Sequence, residues 1–72
     1  MTTIHEVPIS GETIRLGQLL KLSGIAESGG ASKALLADGV RVNGLAETRR
    51  GRQLRAGDVV EARGETARVV AA

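Results

Sequence analysis

Apolar positions follow two different rhythms along this chain. Near the N-terminus, Ile4, Val7 and Ile9 stand among polar residues on either side of Pro8. Proline cannot donate to a strand ladder, so this segment reads as a short edge strand. Ser10-Gly11-Glu12 then signals a turn. Leu16, Leu19 and Leu20 fall at i, i+3, i+4 and are followed by Leu22, which predicts a short helix over residues 15–23 with Gly24 as its stop. Ile25-Ala26 packs back on it, and Glu27-Ser28-Gly29-Gly30 forms a loop. A second helix is predicted over residues 30–38, with Ala31, Ala34 and Leu35 facing inward and Gly39 ending it.

From Val40 the period changes to two. Val40-Arg41-Val42 alternates, and Asn43-Gly44 is the strongest short hairpin signal, so residues 45–48 are expected to return alongside. Arg49-Arg50-Gly51-Arg52 follows as a basic loop, and Gly57-Asp58 turns the chain into Val59-Val60-Glu61-Ala62. Gly64-Glu65 turns it again, and Ala67-Arg68-Val69-Val70 closes it. A strand, two short helices and then a small curled, mostly antiparallel sheet make an α+β domain. The length of 72 residues leaves room for one domain only, residues 1–72.

Composition narrows the chemistry. With no Cys there is no disulfide, thiolate nucleophile or Cys-based metal site, and one histidine, His5, makes no metal cluster. His5 reads as a surface residue. Scattered Ser and Asp form no triad and no paired-carboxylate site, so neither an enzyme nor a bound cofactor or metal is expected. With no Phe, Trp or Tyr, bases cannot stack on rings, which argues against RRM-like and typical OB-fold recognition. The apolar runs fall far short of the roughly 18 residues of a membrane span. MTTIHEVPIS lacks the pattern of a secretory signal. A cytoplasmic location and no membrane partner are therefore expected.

The net charge of +2 hides an uneven distribution. Residues 41–55 carry Arg41, Arg49, Arg50, Arg52 and Arg55 against Glu47 alone, whereas each flanking segment has one more acid than base. Clustered arginines repel one another, and a polyanion would relieve that repulsion while pairing with the planar guanidinium forks. A solvated loop that serves solubility is the plainer reading of the same cluster. Ser28-Gly29-Gly30 before the second helix could bring backbone amides to a phosphate, or Ser28 could simply cap that helix.

Taken in order, Leu16-Gly17-Gln18-Leu19-Leu20-Lys21-Leu22-Ser23-Gly24, Ser28-Gly29-Gly30-Ala31-Ser32-Lys33-Ala34, Gly39-Val40-Arg41-Val42-Asn43-Gly44 and Gly57-Asp58-Val59-Val60 resemble the S4 RNA-binding domain. Glu47-Thr48-Arg49-Arg50 and the Val69-Val70 ending are similar to small stand-alone bacterial members of that family. The resemblance implies the αL motif as the fold. It also implies a monomeric module that grips structured RNA, with the ribosome or its precursors as candidate partners. With the charge cluster and the Ser28-Gly29 loop, it makes Lys21, Ser28, Gly29, Lys33, Arg41, Asn43, Arg49, Arg50 and Arg52 the candidate RNA contacts, with a solvated helix face as the plainer reading of Lys21 and turn chemistry alone as that of Asn43. Where the family often has an arginine at the start of the second helix, this chain has Gly29-Gly30. Replacing Arg49, Arg50 and Arg52 together is expected to weaken RNA binding without unfolding the chain. The competing function class is a small β-grasp-like protein-interaction module without RNA binding, which would use Leu45 and Leu54 if both are exposed.

Overall fold

A computed structural model describes residues 4–27 and 29–72. Its elements are β1 (Ile4–Ile9), β2 (Ile14–Arg15), α1 (Leu16–Leu22), α2 (Gly29–Asp38), β3 (Val40–Val42), β4 (Leu45–Glu47), β5 (Gln53–Leu54), β6 (Val59–Ala62) and β7 (Glu65–Ala71). Five strands form one sheet in the order β1-β7-β6-β3-β4, and β2 pairs with β5 in a separate antiparallel ribbon. Within the larger sheet only β1 and β7 run parallel. The expected α+β arrangement of two short helices on a mostly antiparallel sheet is what the structure shows.

The turn chemistry explains the register. Asn43 and Gly44 both adopt positive φ, 52° and 83°. That is the two-residue turn whose twist matches the flanking strands. It pairs Val42 with Leu45, Arg41 with Ala46 and Val40 with Glu47. Pro8 lies in β1, at the edge of the sheet, where its missing amide breaks no central ladder.

One face of the sheet carries the core. Val7, Val40, Val42, Val60, Ala67 and Val69 are buried with Leu16, Leu19 and Leu20 of α1 and Leu35 and Leu36 of α2. Ile25 and Ala26 pack back as expected, and Ile14 and Leu54 bury the small ribbon beneath α1. The inner face of α2 differs from the expected one. Ala31 is half-buried and Leu35 fully buried, but Ala34 is exposed; Ser32 and Leu36 point inward instead. The two adjacent leucines set the helix rotation, because burying both gains more than burying two alanines. The small Ser32 then faces α1, and its hydroxyl donates to the carbonyl of Gly17 at 3.4 Å.

Of the two leucines that a protein-interaction module would have used, Leu45 is 70% exposed but Leu54 is 0% exposed. The pair does not form a surface, and the β-grasp-like alternative is not favoured. His5 is half-buried, and its Nε2 lies 3.1 Å from Oε1 of Glu65. No three His, Cys, Asp or Glu residues are grouped to hold a metal among the described residues, and none of the described helices is long and apolar enough to cross a membrane.

Candidate nucleic-acid interface

The segment 48–52 runs from β4 toward β5 and passes across the start of α1. The first amides of a helix have no partner within it, and α1 has no side-chain cap at its N-terminus. The loop supplies acceptors instead. Leu16 N–H donates to the carbonyl of Arg52 at 2.8 Å, and Gly17 N–H to the carbonyl of Arg50 at 2.9 Å. This contact is close enough to require glycine at position 17. A Cβ there would lie 2.4 Å from Cγ of Arg50 and 3.0 Å from its Cδ. The aliphatic stem of Arg50 therefore rests on the first turn of α1, in space that only glycine leaves open.

Glu47 anchors the same loop from below. Its pairing with Val40 turns it toward the core face, and it is 7% exposed. A buried carboxylate is costly unless it is paired and hydrogen-bonded. Glu47 is both: it accepts from Thr48 N–H at 2.9 Å, from Arg49 N–H at 3.3 Å, from Arg49 Nε and Nη2 at 3.4 and 3.2 Å, and from Arg52 Nη1 at 3.1 Å. These donors hold its pKa down to about 2: the Arg49 side chain contributes most, burial pushes the other way, and Arg52 and the two backbone amides add to the lowering. Two of the basic loop's three arginines are thus ion-paired within the fold. Removing all three would strip a buried carboxylate of its side-chain partners, so the triple replacement perturbs the fold as well as the surface.

Arg50 has no ion pair among the described residues, and its side chain is exposed. It borders two adjoining hollows. One is lined by Lys33, Leu36, Ala37, Thr48 and Arg50. The other is lined by Arg15, Gly17, Gln18, Ser32, Arg50 and Gly51. Three cations, from α2, the 48–52 loop and β2, therefore border these two hollows, and no acidic side chain among the described residues lines them. Arg15 is a contributor that sequence reasoning overlooked. It stands alone at the start of α1, and only the long-range β2–β5 pairing brings it beside the basic loop.

The other expected contacts among the described residues line neither of these hollows. Arg41 is exposed, as its place between Val40 and Val42 predicts, but it lies on the sheet face away from the helices. There it stands opposite Ala46 and Glu61 in register, in a hollow that also contains Asp38, Arg63 and Glu65. The structure thus separates Arg41 from Lys33 and Arg50. Asn43 ties two turns together: its Nδ2 donates to Asp58 at 3.1 Å and its Oδ1 accepts from Val59 N–H at 2.9 Å. Asp58 also accepts from Arg55 N–H at 2.8 Å, which is the main cause of its lowered pKa. Lys21 is exposed in the last turn of α1, where a cation complements the helix dipole. Gly29 is the first residue of α2, and Ser28 lies outside the described residues.

The S4 domain model matches residues 7–70. The chain belongs to the S4 domain family. Among the relatives of this S4 domain is RlbA of Bacillus subtilis, named as a probable ribosome maturation protein. It is 48% identical over 61 residues, which cover 83% of this chain and 86% of RlbA. YbcJ of Escherichia coli, named as a proposed RNA-binding protein, is 42% identical over 59 residues, covering 81% of this chain and 84% of YbcJ.

Proposed function

We propose that this S4 domain binds structured RNA, with ribosomal RNA or its precursors as the leading class, through phosphate and shape contacts around Lys33, Arg50 and Arg15. The observation that carries this reading is the meeting of those three cations around two hollows lined by no acid among the described residues. The names of its relatives, one for ribosome maturation and one for RNA binding, support the same reading. Without aromatic rings the domain reads phosphate positions and groove shape rather than stacked bases. It acts as a cytoplasmic monomer that binds and does not catalyse. Arg41, Lys21 and Asn43 are assigned secondary contacts at most: Arg41 lies on the outer face of the sheet, and Lys21 and Asn43 line neither hollow.

Titrating an RNA stem-loop into isotopically labelled protein tests the assignment. Amide shifts are expected at residues 15–18, 32–37 and 48–52. If about three phosphates are engaged, log K should fall with log salt at a slope of roughly 2 to 3. Shifts confined to the sheet face around Arg41, or none at low salt, would remove the proposal.

A second expectation separates binding from folding. Gly17→Ala places a methyl group where the Arg50 stem lies. Alanine is the better helix former by about 1 kcal/mol, but the Arg50 stem has to move to admit it, so the two effects oppose and thermal stability should change by no more than about 1 kcal/mol. RNA affinity should nevertheless fall several-fold as Arg50 is displaced. A melt by circular dichroism beside an anisotropy titration reads both quantities.

A further inference from the structure

Glu47 is the only buried carboxylate among the described residues, and a contact role in RNA binding gives it nothing to do. All the donors it accepts from belong to residues 48–52: two backbone amides and the guanidinium groups of Arg49 and Arg52. That same loop gives two carbonyls to the first amides of α1 and holds the Arg50 stem on Gly17. Three arginines within four residues would otherwise be interchangeable cations on a mobile loop.

We infer that Glu47 is a positioning residue for the RNA surface: an internal anion that engages Arg49 and Arg52, fixes the loop against α1, and leaves Arg50 as the one arginine of the loop presented to phosphate. The inference rests on the RNA-binding reading for its functional half and on geometry alone for its structural half. It divides the basic loop into two roles. Arg49 and Arg52 serve order, and Arg50 serves contact. Arg49 remains exposed despite its ion pair, with its side chain 76% accessible. Exposure therefore does not distinguish the two roles, and the pairing does.

The test turns on a sign. Glu47→Gln raises the net charge by one and releases two arginines from their ion pairs. If affinity follows charge alone, the variant should bind an RNA stem-loop more tightly and with a steeper salt slope. If Glu47 positions the loop, binding should weaken by about tenfold, as for loss of one well-placed charged contact. Equal or tighter binding overturns the inference. Amide exchange in the free protein gives an independent readout. Leu16 and Gly17 should exchange faster in Glu47→Gln while the β6–β7 ladder is unchanged. Unaltered exchange at those two amides likewise overturns it. Should Glu47→Gln fail to fold, Arg49→Ala and Arg50→Ala in the native background decide. Arg50→Ala should lose about tenfold in affinity and Arg49→Ala no more than about twofold, and equal losses overturn the division of roles. If the native protein does not bind the stem-loop at low salt, the RNA reading falls. The exchange of Leu16 and Gly17 then still decides whether Glu47 holds the loop.

Discussion

Replacing Lys33 and Arg50 together by glutamate should lower affinity for structured RNA by at least about a hundredfold, the equivalent of roughly 2.7 kcal/mol, with the fold intact. Both side chains are exposed, and neither has an ion pair among the described residues, so their removal leaves no buried group unpartnered. Each replacement removes a favourable phosphate contact and adds a repulsive one. Hydrogen bonds to charged groups contribute about 1.5–3 kcal/mol each, so two lost contacts already reach the stated effect before repulsion is counted. The decisive comparison is a charge-matched control, Arg41→Glu with Arg63→Glu. It changes the net charge equally, but at two exposed positions that line a different hollow, one that shares no residue with the two around Arg50. Near 0.1 M salt the screening length is about 10 Å, so distant charges act weakly and the control should lose much less. Anisotropy titrations of both double variants at one fixed ionic strength measure the difference. Equal losses would mean that the RNA responds to overall charge, and the assigned surface would fall.

Much of this arrangement is legible in the sequence, and the parts that are not share one cause. The i, i+3, i+4 leucines of α1, the alternation at Val40-Arg41-Val42 and the Asn43-Gly44 turn are local signals, and the elements lie where those signals put them. The rotation of α2 is harder to read. Ala31, Ala34 and Leu35 make an acceptable inner face by spacing alone, and only packing against α1 and β3 selects Ser32, Leu35 and Leu36. Charge misled in a similar way. Five arginines against one glutamate look like a single basic patch, yet Glu47 engages two of them in ion pairs and the sheet places Arg41 on the opposite side. Part of this was within reach. A two-residue turn at positions 43 and 44 pairs Val42 with Leu45 and hence Val40 with Glu47. Strand alternation then sends Glu47 to the same buried face as Val40. The contribution of Arg15 was out of reach, because it depends on contact between segments nearly forty residues apart.

Leu35→Ala should leave the chain largely unfolded at physiological temperature. Leu35 is 0% exposed and lies in α2, whose neighbours are α1 and β3. Truncating a buried leucine to alanine costs about 2–5 kcal/mol, through lost transfer free energy and the cavity left behind. A single core below about 70–80 residues rarely supplies more than about 3–5 kcal/mol in all. The two magnitudes are comparable, and this chain has no disulfide to compensate and no aromatic side chain to repack into the gap. Leu45→Ala is the matched surface control. Leu45 is 70% exposed at the edge of the sheet, so its truncation should change stability by no more than about 0.5 kcal/mol. Urea titrations followed by circular dichroism measure both. The two strongest variants also fail in different ways. With Leu35→Ala, RNA binding should decline with the folded fraction and recover on cooling or on adding a stabilising osmolyte, because Lys33, Arg50 and Arg15 come from three elements that only the packed core brings together. With Lys33 and Arg50 reversed, the protein should stay folded and no stabiliser should restore binding. A Leu35→Ala protein that melts within a few degrees of the native one would show that docking of α2 contributes little to stability, and the argument that the core holds the RNA surface together would fail with it.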